Sequence, residues 1–273
     1  MKILIIGVSG FIGKSIYKNL MKHYEVFGIS RSSLDLKNCF KVDLYNLNEL
    51  KLFFNKYDFN IIINLASVMA NKNNLNDFSL FENNLSMSKN LIKVLQKKED
   101  LYLINFSSSA VYPNVSGLFS ENDIIDPSIN PDCLYGLSKF NNEILFSYFL
   151  KKLSVLNLRV GYVHGSGMNE SRIHKVFENE LKEKNKITIW GNGERCFPQI
   201  SIEYLNSILL KIIENHIIGT YNLAEENISL IDLAKKYIKL YGDNSSEIIL
   251  NTKHKNNNVF KMRLDNLNNS LKK

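Results

Sequence analysis

Tyr135 and Lys139 stand four positions apart in the stretch CLYGLSK, residues 133–139. Where such a stretch is helical, the two side chains share one face. A phenol that titrates at about 10 in water becomes a useful acid or base near neutrality only beside a fixed positive charge, which a lysine one turn away supplies. The chemistry within reach is proton transfer to or from an oxygen. The same spacing is also one turn of any amphipathic helix, so the rest of the chain must supply the context. Cys133, two residues ahead of Tyr135, invites a nucleophilic reading, but a plain half-buried thiol suits it better.

A second group with chemical potential is GVSGFIG, which places Gly7, Gly10 and Gly13 between an apolar run and a helical pattern. Gly7 permits a tight turn, Gly10 lets backbone approach a pyrophosphate, and Gly13 lets helix and sheet pack closely. Phosphates would sit on the free N–H groups opening the helix. Three glycines can be plain turn chemistry, yet directly after one buried strand the spacing points to dinucleotide binding. The following strand ends in ISRSS, with no carboxylate before Asp35 to take a ribose 2′-hydroxyl. Arg31, flanked by Ser30 and Ser32, suits a 2′-phosphate instead, which favours NADP(H) over NAD(H). The competing reading of Arg31 is a solvated surface side chain.

The elements that must position these groups follow from apolar patterning. KILIIG (2–7) predicts a buried strand and FIGKSIYKNLMKH (11–23) a helix. YEVFGIS (24–30) and KVDL (41–44) predict strands, followed by a helix at 46–56. NIIINLAS (60–67) and LYLINFSS (101–108) predict buried strands separated by a long helix at about 76–98. A further helix begins near Tyr135 and runs to about 152, and SVLNLRVGYV (154–163) is another buried strand. Continuous apolar strands alternating with helices predict an α/β fold, a doubly wound parallel sheet of the Rossmann type covered on both faces. Beyond about 165 the pattern loosens into a helix at 170–184, strands at 187–191, 195–201 and 219–225, and helices at 203–214 and 229–242. The expected organisation is a dinucleotide-binding domain over 1–165, to which the chain returns near 197–218, and a small α/β substrate lobe over 166–273. KHKNNNV (253–259) is expected to be a loop.

Composition narrows the class. At 273 residues, 45% apolar and 22% charged, the chain suits a soluble globular protein, and no apolar run approaches the roughly 20 residues of a membrane span. The net charge of +7 comes from lysines scattered singly or in pairs, without a basic block or interleaved aromatics, which argues against nucleic acid as a partner. Cys39, Cys133 and Cys196 form an odd set without CxxC spacing, which argues against a disulfide framework and a metal site and for a cytoplasmic location.

Taken in order, several separated stretches resemble the extended short-chain dehydrogenase/reductase superfamily, in its branch of sugar-nucleotide epimerases, dehydratases and reductases. GVSGFIG has that family's glycine spacing, and VDL, with Asp43 and Leu44, resembles its adenine-side element. INLAS, with Leu65, Ala66 and Ser67, resembles its strand-four signature, and NNLSMSKNL, with Asn84, the helix after it. SSAVYP (108–113) resembles the catalytic serine strand, YGLSK the catalytic helix, and LRVGYVHG (158–165) the segment leading into the substrate lobe. The resemblance implies that Tyr135 exchanges a proton with the sugar oxygen while hydride moves to or from nicotinamide. It implies that Lys139 lowers the tyrosine's pKa and holds the nicotinamide ribose. Alignment on VYP selects Ser108 as the serine bonding the reacting oxygen, with Ser107 and Ser109 as fallbacks. It also implies cofactor contacts from Gly7, Ser9, Gly10, Phe11, Ile12, Gly13, Arg31 and Ser32.

Departures from the family pattern bear on the reaction. Dehydratases carry Asp-Glu directly after the catalytic serine or threonine, whereas this chain has Ser109 and Ala110. Ala110 also replaces the cysteine of the epimerase-reductases that make GDP-fucose. The reading favoured by Arg31 is an NADPH-dependent reductase of a 4-keto nucleotide sugar, with an NAD-dependent nucleotide-sugar 4-epimerase as the alternative. Another ketone reduction or a sugar-nucleotide oxidation is a third course, and a catalytically idle NADPH sensor lies outside the enzyme class. GNGERCFPQIS (191–201) resembles the segment whose arginine binds the substrate diphosphate, which makes Arg195 the candidate, against a surface salt bridge; Arg263 is a second candidate. ISIEYL (200–205) departs from the family's Val-Asp-Asp run, with Glu203 standing in for it, His164 replaces a tyrosine without being catalytic, and Trp190 is core or borders the nucleotide. Relatives pair through two long helices into a four-helix bundle, so a homodimer is expected.

Overall fold

The computed structural model describes residues 1–253 and 257–272. The first half runs β1 (Lys2–Ile6), α1 (Phe11–Leu20), β2 (Glu25–Ser30), β3 (Cys39–Lys41), α2 (Leu47–Lys56), β4 (Ile61–Asn64), α3 (Ser79–Leu95) and β5 (Tyr102–Ser108). After the short strand β6 (Gly117–Phe119) come α4 (Cys133–Phe149), β7 (Ser154–Val160) and β8 (Tyr162–His164). The remainder holds α5 (Ile173–Lys184), β9 (Lys186–Trp190), β10 (Cys196–Ser201), α6 (Ile202–Glu214), β11 (Gly219–Leu223), β12 (Glu226–Ser229), α7 (Leu230–Tyr241), β13 (Glu247–Asn251), β14 (Phe260–Met262) and α8 (Asp265–Ser270).

Seven of these strands form one sheet in the order β11-β7-β5-β4-β1-β2-β3, every pair parallel. Side chains alternate across it, so β1 sends Ile3 and Ile5 to one face and Leu4 and Ile6 to the other. The first face packs on α1 through Ile16 and Leu20 and on α6 through Leu205, Ile208 and Ile212. The second packs on α2, α3 and α4 through Leu50, Phe53, Leu91, Leu95 and Phe146. Each fully buried side chain of this kind contributes about 1.5–3 kcal/mol. The sheet is therefore doubly wound, and the order reverses between β1 and β4, where such folds open a ligand crevice. Asn46 caps α2 by accepting from the Asn48 and Glu49 amides. Ser201 and Ser229 likewise cap α6 and α7.

Some boundaries differ from those the sequence predicts. The third strand lies at 39–41 rather than 41–44: Val42 still donates to the Ser30 carbonyl, but Asp43 turns the chain into the α2 cap. The apolar run 154–163 is two strands, because at Gly161 the chain passes so close to Pro198 that a Cβ would lie 2.7 Å from its carbonyl oxygen. β8 there leaves the large sheet and pairs with β10, which also pairs with β12. The pairs β9–β13 and β6–β14 were not anticipated. Within the expected loop 253–259, residues 254–256 lie outside the described residues, and Val259 bridges to Cys196. Among the described residues no helix is long and apolar enough to cross a membrane.

Candidate active site

A cleft of about 1360 Å³ runs along the carboxyl ends of the central strands. At one end, Gly7 leaves β1 with φ +87°, and its amide donates to the Ile29 carbonyl at 2.9 Å. Only glycine takes that conformation without strain. A Cβ on Gly13 would lie 2.4 Å from the Gly7 carbonyl oxygen, so α1 packs against the turn through bare backbone. Gly10 caps α1 without a side-chain hydrogen bond. The first-turn amides of a helix have no intrahelical acceptor, and here Gly10, Phe11, Ile12 and Gly13 line the cleft together with Gly7 and Ser9. That cradle suits a pyrophosphate.

Arg31 and Ser32, directly after β2, line the same cleft, as do Leu44, Leu65, Ala66 and Ser67. Arg31 is exposed and has no carboxylate beside it in the lining. Asp43 is not in the lining; its carboxylate accepts from the Tyr45 amide at 3.0 Å. Asn84 is buried behind the cleft and clamps its wall, accepting from the Val68 amide at 2.7 Å and donating to the Val68 carbonyl and Ser138 hydroxyl. Its contribution is to hold the Ser67–Val68 segment in place.

β5 delivers Ser108 to the cleft, and α4 delivers Tyr135 and Lys139. Gly136 lets α4 approach the chain after β5, since a Cβ there would lie 2.2 Å from the Ala110 carbonyl oxygen. The Lys139 ammonium lies 5.8 Å from the centre of the Tyr135 ring and donates to the Phe106 carbonyl at 2.9 Å. Burial pushes the Tyr135 phenol up to about 12, and the Asp132 charge adds to it. Hydrogen bonding to Ser108 and Ser67 and the charge of Arg172 pull it back. Burial lowers Lys139 to about 8, against which the Glu143 charge acts. Ser109 and Ala110 also line the cleft, and neither side chain serves as a proton donor at neutral pH.

From the C-terminal part of the chain the cleft is lined by Arg172, Trp190, Arg195 and Phe197. Arg195 is exposed within that lining. Arg263 is not in the lining; it follows β14, with its amide donating to the Phe119 carbonyl at 2.8 Å. Glu203, His164 and Cys133 are likewise outside the lining. His164 stacks on His174 with ring centres 4.1 Å apart, and burial holds both below the usual histidine range, His174 at about 3.

Two lining residues escaped the sequence reading. Arg172 stands 5.3 Å from the centre of the Tyr162 ring at the start of α5. Asp132 precedes α4 and is the one carboxylate in the lining among the described residues; burial raises its pKa. A signal existed for Asp132, three residues before Tyr135 and hence within a helical turn. None existed for Arg172, whose nearness to Tyr135 depends on how α5 folds back.

The glycine turn, the Arg31–Ser32 segment and the Tyr135–Lys139 pair thus fit a nicotinamide dinucleotide along one crevice. Such a dinucleotide, when bound, would accept or supply hydride. The pattern of the NAD dependent epimerase/dehydratase family matches residues 3–224. The chain belongs to that family: it is an NAD(P)-dependent enzyme of the extended short-chain dehydrogenase/reductase type.

Among curated proteins it is 26% identical to an uncharacterized protein of Methanocaldococcus jannaschii, over 86% of this chain and 80% of that one. It is also 26% identical to a UDP-glucuronate 4-epimerase of Thermodesulfobacterium geofontis, over 71% of this chain and 65% of the relative. A crystal structure of the UDP-glucuronic acid 4-epimerase of Bacillus cereus, in complex with UDP-glucuronic acid and NAD, matches the fold with a TM-score of 0.80. The match spans 100% of this chain and 93% of that one at 22% identity.

Proposed function

We propose that the protein is a nucleotide-sugar 4-epimerase that works through a tightly held nicotinamide dinucleotide. The observation that carries this reading is the set Ser108, Tyr135 and Lys139 in one cleft, followed by Ser109 and Ala110 where elimination would need an acid and a base. Tyr135 takes the proton of the sugar 4-hydroxyl as hydride leaves C4 for the dinucleotide, and returns it to the same oxygen once the 4-keto sugar has turned to receive that hydride on its opposite face. Ser108 bonds the same oxygen, Lys139 holds the phenolate by its charge, and Arg195 takes the substrate diphosphate. The relatives named as 4-epimerases favour this reading over a net reduction.

A second reading keeps one specific observation in its favour. Arg31 and Ser32 replace the carboxylate expected beside an NAD ribose, which suits NADP(H) and hence an NADPH-dependent 4-keto reductase. The experiment is incubation of the purified protein with a panel of UDP- and GDP-sugars, followed by chromatography and by absorbance at the reduced-nicotinamide band. Epimer formation without net change in the band supports the first reading. Stoichiometric oxidation of added NADPH with a keto sugar supports the second. A homodimer through α3 and α4 belongs to either reading; Ile144, Tyr148 and Phe149 leave exposed apolar surface on α4.

A further inference from the structure

Lys139 is not the only buried charge behind Tyr135. Glu143 follows it by one helical turn on α4, and Arg159 faces both from β7. All three side chains are buried, at 3%, 5% and 5% exposure. Arg159 donates from Nε to both Glu143 oxygens at 3.2 Å and from Nη2 to Oε2 at 2.8 Å. Ser107, the neighbour of Ser108, donates its hydroxyl to Oε1. Arg159 Nη1 is occupied by the Tyr112 hydroxyl at 2.9 Å and the Glu121 carbonyl at 3.1 Å. The Lys139 ammonium donates to the Phe106 carbonyl, one residue before Ser107, at 2.9 Å. The charged and titratable groups of this buried set are Tyr135, Glu143, Arg159 and Tyr112, with Asp132 acting by its charge on Tyr135.

Two buried cations and one carboxylate form an arrangement in which the anion is indispensable. Removing one partner of a buried ion set leaves an uncompensated charge in low dielectric. Lys139 has no ion pair of its own among the described residues, and Glu143, one turn away on α4, is the negative charge that acts against its burial. The same carboxylate also fixes Ser107, and through the chain the placement of Ser108. We propose that Glu143 is a positioning residue for the reaction: its carboxylate, clamped by Arg159 and Ser107 one helical turn beyond Lys139, keeps the ammonium charged beside Tyr135, where the Phe106 carbonyl holds it. This rests on the reading of Tyr135 and Lys139 as the proton-transfer pair.

The sign follows from charge. Lys139 acts as an ammonium, and turnover falls as rising pH removes its proton. Burial already lowers that pH, and Glu143 opposes the fall. Without the carboxylate the alkaline limb moves further down.

The test is the pH profile of turnover for the loaded enzyme carrying Glu143→Gln or Glu143→Asp, each checked for folding by its melting transition and for dinucleotide content. For Glu143→Gln the alkaline limb is expected to move down by about one pH unit. Glu143→Asp keeps the ion with Arg159 but draws the carboxylate back by one methylene, and is expected to move it about half as far. The aspartate variant carries the test alone if the glutamine variant does not fold. An alkaline limb at the wild-type position in a folded variant, with turnover merely reduced, overturns the inference. Turnover retained by Tyr135→Phe would instead overturn the reading on which it rests.

Discussion

The Lys139 ammonium sits 5.8 Å from the centre of the Tyr135 ring while its hydrogen bond goes to the Phe106 carbonyl on the neighbouring strand. The pair is thus electrostatic. Lysine is anchored to the sheet and acts on the phenol by charge across one helical turn. Removing either partner should be nearly as damaging as removing both. Tyr135→Phe and Lys139→Met should each reduce turnover by about 10³-fold or more, and the double variant should add little. Steady-state kinetics on the three variants checks this.

Asp132 offers a subtler probe. Its charge and the burial of the site both raise the Tyr135 phenol, which stands at about 12 in the protein alone. Asp132→Asn removes the charge and leaves the burial, so the phenol should ionise more easily. The acid limb of the turnover profile should shift to lower pH, by about half a unit to one unit. A shift to higher pH would mean that Asp132 serves the substrate by donating or accepting a proton.

Gly13 tests the cradle. A Cβ there meets backbone, not a mobile side chain, at 2.4 Å. Gly13→Ala must push α1 away from the turn at a cost of about 1–3 kcal/mol. The melting temperature should drop, and dinucleotide affinity should fall by more than the tenfold that about 1.4 kcal/mol represents. Gly117, whose added Cβ would meet only a Phe119 ring, serves as control.

Arg31 decides between cofactors. If it meets a 2′-phosphate, Arg31→Ala should weaken NADPH binding by about 10- to 100-fold, in line with about 1.5–3 kcal/mol for a charged hydrogen bond, and leave NADH unaffected. Equal, small effects on both would place Arg31 on the surface. Fluorescence titration of each reduced cofactor measures the difference.

Much of this was legible beforehand because it rests on short-range pattern. Continuous apolar runs marked β1, β4 and β5, and the glycine turn named its own position between β1 and α1. Tyr135 and Lys139 were found from local spacing and Ser108 from the family resemblance around VYP, and the structure brings the three to one cleft. What escaped depends on tertiary contact. The break between β7 and β8 lies inside one stretch that reads as a single strand, SVLNLRVGYV, and is set by the approach of Pro198 to Gly161. β13 and β14 have three to five residues each, too few for periodicity to register. Arg263 was chosen by its chemical type, but its place after β14 keeps it out of the lining. Arg172 could be found only once α5 was in place over Tyr162.

The central claim is that one site oxidises and re-reduces the same sugar carbon. The most direct measurement is to incubate the protein, without added cofactor, with a UDP-sugar and follow the sugar by proton NMR while recording the nicotinamide absorbance. The account predicts approach to a constant ratio of C4 epimers, many turnovers per protein molecule, with no net change in the absorbance. An unchanged sugar across the UDP- and GDP-linked panel, with turnover appearing only when a keto sugar and NADPH are supplied together, would contradict it.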